Sequence, residues 1–195
     1  MSSKDFNLFS LYLKELKKWN KKINLTSLKT DEDIIIKHFV DSLSPVPFIP
    51  GETILLDVGS GGGFPGVPIK IVRPDVNIKL IESSNKKCAF LKNLQIKLNL
   101  TSFEVLSTRF ENLSLDYRVG VIISRAFSPL EIILDKGPSY LKDEGRIILM
   151  LGNFKIKEEW LKKIMYTYGL KIEKKFSFLL PTYNHKRTIV VLKKC

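Results

Sequence analysis

The sequence predicts an α/β fold: a Rossmann-like, seven-stranded, mostly parallel sheet with helices on both faces, preceded by an N-terminal helical extension. Three observations predict it. Short β-branched and apolar runs alternate with helical periodicity from residue 53 onward. An apolar run closes on Asp57 and feeds five glycines in eight positions, at 59, 61, 62, 63 and 66. A second apolar run ends in a carboxylate, Glu82, 19 positions after Gly63.

Each element has its own reason. Phe6, Phe9, Leu13 and Leu16, with Tyr12, Trp19 and Ile23, recur at spacings of three, four and seven, which predicts an amphipathic helix over 5–22 whose other face is lysine-rich. A second helix is expected over 31–43, because Thr30 precedes it and Asp31, Glu32 and Asp33 put negative charge where the helix dipole favours it. Pro45, Pro47, Pro50 and Gly51 break the pattern and mark the junction between the extension, 1–50, and a Rossmann-like domain, 51–195. Strands are then expected at 53–58, 76–82, 102–107, 119–124, 146–151, 171–179 and 187–193, with helices at 65–72, 85–98, 129–141 and 156–167. That alternation places a ligand at the carboxyl ends of the strands. No internal repeat or low-complexity segment interrupts it.

Composition narrows the class. A chain of 195 residues with 44% hydrophobic content buries one substantial core. Its apolar runs fall short of the roughly 20 residues of a membrane span, and Met1-Ser-Ser-Lys-Asp5 carries no apolar signal core, so a cytoplasmic protein without membrane contact is expected; a monomer is expected separately. Cys88 and Cys195 lie far apart, His38 and His185 stand alone, and no metal-ligand spacing surrounds them, so no metal is expected. Lys and Arg total 32 against 20 acidic residues, a net charge of +12. Residues 151–195 hold 11 basic and 3 acidic side chains, which points to a polyanion-binding surface at the C-terminal end. Lysine accounts for 26 of the 32, and such a bias alone would produce much of the surplus.

The glycine loop admits two readings. Gly61, Gly63 and Gly66 satisfy the G-x-G-x-x-G spacing of dinucleotide sites, in which a pyrophosphate sits on a helix N-terminus. Asp57-Val-Gly59-Ser-Gly61-Gly-Gly63 satisfies the D-x-G-x-G-x-G pattern of S-adenosylmethionine-dependent methyltransferases. An acidic residue opening the loop suits a sulfonium and opposes a pyrophosphate, which favours the methyl donor. Glu82 serves either ligand, since a carboxylate there can accept both ribose hydroxyls of an adenosine.

Several stretches together resemble one family. Asn24-Leu-Thr26, His38-Phe-Val-Asp41-Ser-Leu43, Asp57 through Phe64-Pro-Gly66, Lys86 with Phe90-Leu91, and Ser124-Arg-Ala-Phe127 occur in the order and spacing of the small-subunit ribosomal RNA methyltransferase G family, also called glucose-inhibited division protein B. The resemblance runs from about Trp19 to Lys193. It implies a class I S-adenosylmethionine-dependent methyltransferase acting on N7 of a guanine in 16S ribosomal RNA, as naked RNA or within the small subunit. It further implies that Asp57, Gly59, Gly61, Phe64, Glu82 and Arg125 line the cofactor, with Phe110 and Glu111 beside the adenine. Arg125 and Arg109 become the catalytic contacts, and Lys86, Arg109 and Arg187 the RNA contacts. For the two phenylalanines, core packing is the competing reading. One departure stands out: where similar proteins carry Leu-Lys-Gly, this chain has Met150-Leu151-Gly152, and Lys155 is the nearest substitute. A small-molecule methyltransferase, a nicotinamide-dependent oxidoreductase and a non-catalytic RNA-binding module remain as alternatives.

Overall fold

The computed structural model describes residues 2–125, 130–152, 158–183 and 185–194. Five parallel strands, β1 (Ile54–Val58), β2 (Asn77–Glu82), β3 (Phe103–Ser107), β4 (Val119–Arg125) and β5 (Leu141–Leu151), are followed by an antiparallel pair, β6 (Leu170–Leu179) and β7 (Lys186–Lys194). They form one sheet in the order β3-β2-β1-β4-β5-β7-β6, with β7 antiparallel to β5. The expected seven-stranded, mostly parallel sheet is present.

The sheet is buried on both faces, as its near-continuous apolar strands require. Successive side chains point to opposite sides, so Leu55 of β1, Ile78 and Leu80 of β2, Val121 and Ile123 of β4 and Ile148 of β5 join one core cluster. Leu56, Val58, Ile81, Ile122, Ile147 and Leu149 join the other. The first cluster is closed by α1 (Ser3–Asn20), α4 (Gly66–Val72) and α5 (Asn85–Lys97) through Tyr12, Val67 and Phe90. The second is closed by α6 (Leu130–Tyr140) and α7 (Glu158–Tyr168) through Ile133 and Ile164. Each fully buried aliphatic side chain contributes about 1.5–3 kcal/mol by leaving water.

The N-terminal helices share the sheet's core, because Phe9, Tyr12, Leu16, Ile34 and Phe39 belong to the same cluster as Leu55 and Ile123. A capping box between Ser2 and Asp5 starts α1. Phe6, counted in its apolar stripe, is 61% exposed, whereas Glu15 is buried and accepts from Asn93 Nδ2 at 2.9 Å. The helix expected over 31–43 is present but not uniform. It opens as α2 (Asp31–Ile34), widens into a π turn over Ile35–Val40 and closes as α3 (Asp41–Leu43). At the other end of the chain, β5 starts earlier than the expected 146. Leu141 pairs with Val119, then Glu144 at φ 64 and a register shift interrupt the ladder before it resumes at Arg146.

Candidate active site

The sheet switches direction at β1, which has β2 on one side and β4 on the other, and α/β sheets bind their ligands at such a point. Val58 is in register with Ile81 of β2 and Ser124 of β4, so the next residues, Gly59, Glu82 and Arg125, stand in one row at the carboxyl edge. Local bonds hold that row. The amides of Gly59 and Ser60 both donate to the Ile81 carbonyl at 2.9 and 3.2 Å, and Ser124 Oγ donates to the Val58 carbonyl at 3.1 Å.

Two glycines of the loop are sterically required. Gly63 has φ +94, and a Cβ there would lie 2.8 Å from both Tyr12 Oη and Val67 Cγ2. At Gly66 a Cβ would overlap Leu80 Cδ2 and Asp57 Oδ2. Tyr12 reaches in from α1 and donates to the Gly62 carbonyl at 2.5 Å, which ties the N-terminal helix directly to the loop.

Asp57 departs from its expected place. It is fully buried, pointing to the same side of β1 as Leu55, and its Oδ2 accepts from the Gly66 amide at 2.8 Å. It therefore braces the start of α4 beneath the loop, with neither oxygen exposed. Burial pushes its carboxyl up to about 7, opposed in part by the Gly66 amide, and its Oδ1 has no hydrogen-bond partner among the described residues. Glu82 is the carboxylate at the loop's mouth. Its Oε2 accepts from the Gly61 amide at 3.0 Å and its Oε1 from the Ser84 amide at 2.8 Å. Each oxygen keeps further lone-pair capacity for a hydroxyl donor.

Arg125 is held by the N-terminal segment through the π turn. In a regular α-helix the Asp41 amide would claim the Lys37 carbonyl four residues back; here it bonds to the carbonyls of Ile36 and His38. The Lys37 carbonyl is thus released, and Arg125 Nη1 donates to it at 3.1 Å. The same nitrogen lies 3.3 Å from Asp41 Oδ2, and Nη2 lies 3.1 Å from His38 Nδ1. Arginine can only donate, so His38 Nδ1 is the acceptor and its proton sits on Nε2, which donates to Thr26 Oγ1 at 2.7 Å. Burial, reinforced by the neighbouring Arg125 charge, pushes the His38 ring down to about 3 and keeps it neutral. His38 also stacks on Phe64 with ring centroids 4.4 Å apart, Tyr12 stacks on the same ring at 5.4 Å, and Arg125 Cζ lies 4.9 Å from its centroid. Among the described residues three of the five guanidinium N–H groups are engaged.

Gly59, Gly61, Phe64, Arg125 and Arg187 line one cavity of about 540 Å³, together with His38 and Asp41. Arg187 Nε lies 3.3 Å from Asp41 Oδ1; the contact neutralises charge without hydrogen-bond geometry. Met150, Leu151 and Gly152 form the wall where a lysine was sought, while Phe127 and the substitute Lys155 lie outside the described residues. Lys86 is exposed in an adjoining depression with Lys22 and Lys87. Arg109 is exposed and precedes the short 3-10 turn Phe110–Asn112. The Phe110 ring is 2% exposed, packed in the second core cluster 5.8 Å from Tyr140, so it offers no open face. Glu111 accepts from Lys136 Nζ through its backbone carbonyl. His38, expected to stand alone, is the centre of the Arg125 contacts; its three-residue spacing to Asp41 put both side chains on one helix face and was the available signal.

The sheet order, the glycine loop at the switch point and the braced carboxylate that ends β2 define a class I methyltransferase fold. Solved structures agree on that fold: magnesium protoporphyrin IX methyltransferase from Synechocystis PCC 6803, with bound S-adenosylmethionine, superposes with a TM-score of 0.68 at 16% identity, covering 100% of this chain and 98% of that one. A Pyrococcus furiosus methyltransferase does so at 0.65 and 15%, covering 96% and 98%. The chain belongs to the rRNA small subunit methyltransferase G family, whose model matches residues 5–187. Ribosomal RNA small subunit methyltransferase G of Geobacter sp. (strain M21) is 41% identical over 94% of this chain and 86% of its own length. That of Acetivibrio thermocellus is 37% identical over 100% and 82%. Membership in a methyltransferase family decides between the two readings of the loop. Among the described residues no helix is long and apolar enough to cross a membrane, and no cluster of three metal-ligating side chains occurs.

Proposed function

We propose that this chain transfers the methyl group of S-adenosylmethionine to N7 of a guanine in 16S ribosomal RNA. The observation that carries the reading is the family match over residues 5–187, joined to a cavity lined by the glycine loop and Arg125 at the strand switch, with Glu82 bonded to the Gly61 amide of that loop. The residues fit an adenosyl sulfonium: Glu82 accepts the ribose hydroxyls, and the Gly59–Gly61 backbone allows close approach. When bound, the cofactor supplies an electrophilic methyl on sulfur.

The protein has little bond-making to do, because guanine N7 already carries a lone pair and needs no general base. That agrees with a neutral, fully engaged His38. Among the described residues Arg125 keeps two N–H groups without a partner, and these serve the guanine O6; N7 must keep its lone pair for the methyl, so the fork orients the base through O6. Rate then comes from holding N7 and the methyl carbon in line at about 3–3.5 Å with water excluded. The target guanine must be unstacked or in a loop to enter the cavity. Incubation with methyl-labelled donor and unmodified 16S ribosomal RNA, followed by chemical cleavage at N7-methylguanine, tests donor, acceptor and atom together. Label at one guanine N7 is expected; label elsewhere, or none, overturns the reading.

A further inference from the structure

The sequence places the basic surplus at the C-terminal end, but the sheet turns much of that charge away from the cavity. β6 and β5 point the same way because both are antiparallel to β7, so the ligand edge of the sheet holds the end of β6 and the start of β7. Lys171 pairs with Lys193, and Lys194 with Leu170, at the opposite edge. Charge there is also spent internally. Lys193 pairs with Glu144, Lys194 lies 3.8 Å from Asp143, and Arg187 lies against Asp41. Of the basic residues described in β6 and β7, only Lys186 and Arg187 start a strand at the cavity's edge.

A second basic surface runs from the end of α1 to the start of α5. Lys14, Lys18 and Lys21 line a depression along the last turns of α1, beside Lys17, which pairs with Asp31. The ridge continues through Lys22 into a second depression with Asn24, Ser84, Lys86 and Lys87. Ser84 is the residue whose amide bonds to Glu82 Oε1, so this depression reaches the direct neighbour of the carboxylate assigned to ribose. From the other side, Leu25, Ser27 and Leu28 of the same connecting segment line the main cavity. Among the described residues none of the six lysines 14, 18, 21, 22, 86 and 87 lies in an ion pair, and all but the half-buried Lys87 are exposed. The one carboxylate lining these depressions, Asp31, is already paired with Lys17, so the six like charges repel one another and are relieved by an anionic chain, whose condensed counterions they release.

We propose that the ridge of Lys14, Lys18, Lys21, Lys22, Lys86 and Lys87 carries the phosphodiester backbone of the RNA strand that delivers the target guanine to the cavity. The proposal rests on the reading of ribosomal RNA as acceptor. Lysines act here as point charges on phosphates, so they position the strand and leave base selection to the cavity. They touch neither Glu82 nor Arg125, and their loss leaves cofactor binding alone.

The test compares the wild type with a ridge variant, K14Q/K18Q/K21Q/K22Q/K86Q/K87Q, and a sheet variant, K171Q/K174Q/K175Q. Binding to unmodified 16S ribosomal RNA is titrated at several salt concentrations, and S-adenosylhomocysteine affinity is measured by calorimetry on each protein. The ridge variant is expected to lose more than tenfold in RNA affinity at low salt. The slope of log affinity against log salt should shrink by about 0.7–0.9 for each lysine that had neutralised a phosphate. Its affinity for S-adenosylhomocysteine should stay within twofold of wild type, which shows a folded protein. The sheet variant should bind RNA within about threefold of wild type. Equal losses in both variants, or a ridge variant with the wild-type salt slope, overturn the proposal while leaving the acceptor reading intact. Wild-type protein that binds S-adenosylhomocysteine yet shows no salt-dependent RNA binding overturns the acceptor reading, and the ridge with it.

Discussion

Replacing His38 with phenylalanine isolates the contact that aims Arg125. The ring persists, so the 4.4 Å stack on Phe64 is retained, but the Nδ1 acceptor for Arg125 Nη2 and the Nε2 donor to Thr26 are both removed. Arg125 keeps the Lys37 carbonyl and Asp41 on Nη1, so the guanidinium stays in the site while its plane is released to turn about that nitrogen. A hydrogen bond to a charged group contributes about 1.5–3 kcal/mol. The Arg125 side chain is 14% exposed, so water recovers part of the loss and the lower end applies. About 1.5 kcal/mol corresponds to roughly a tenfold fall in kcat/KM for methyl transfer. H38N, whose Oδ1 replaces the Nδ1 acceptor, should regain most of that, whereas H38A should not. The assay is transfer of labelled methyl to 16S ribosomal RNA at limiting and saturating donor, with urea unfolding as the check on folding. H38F with wild-type kcat/KM, or H38N no better than H38F, refutes the role given to the ring.

Glu82→Gln puts an amide N–H group against the Gly61 or Ser84 amide and removes one acceptor for ribose, so the Kd for S-adenosylhomocysteine should rise about tenfold to a hundredfold by calorimetry; an unchanged Kd contradicts the seat. Two buried groups give opposite pH slopes. Asp57, raised from 3.8 to about 7, adds stability below its unfolded value that is lost as pH rises through about 7, whereas His38, lowered from 6.5 to about 3, adds stability above about 6.5 that is lost as pH falls. Asp57→Asn keeps an acceptor for the Gly66 amide and removes the first slope, so its stability relative to wild type should increase between about pH 4.5 and 7 in urea unfolding; parallel curves contradict the buried-acid assignment. Gly63→Ala meets both the φ of +94 and the 2.8 Å approaches to Tyr12 Oη and Val67, and should cost about 2–4 kcal/mol in the same measurement; a loss below about 0.5 kcal/mol contradicts the close packing of α1 on the loop.

The sheet was legible because its strands are coded locally: each β-branched run between turn residues became a strand, with Asp57 one residue before the end of β1 and Glu82 ending β2. The start of β5 was hidden because Lys142, Asp143, Glu144 and Gly145 look like a turn, and only pairing with Val119 makes Leu141 part of the ladder. The π turn was hidden for a related reason. Its cause is a hydrogen-bond shift at Asp41 that no side-chain pattern announces, although the His38 and Asp41 spacing already placed both groups on one face. Asp57 and Phe110 were misplaced because residue type does not say which way a strand end or a short turn points. Alternation along β1 sends Asp57 into the core with Leu55, and Phe110 packs toward Tyr140. Counting lysines cannot reveal where topology puts them: β7 carries Lys193 and Lys194 to the edge opposite the cavity, while Lys21 and Lys22, just past α1, line depressions of their own.

Isothermal titration of the protein with S-adenosylhomocysteine, alongside a reduced nicotinamide dinucleotide, probes the glycine loop and Glu82 most directly. One-site binding of the adenosyl compound, weakened in Glu82→Gln and absent for the dinucleotide, is the expected result. Heat from the dinucleotide alone, with none from either S-adenosylmethionine or its demethylated product, contradicts the assignment of this cavity.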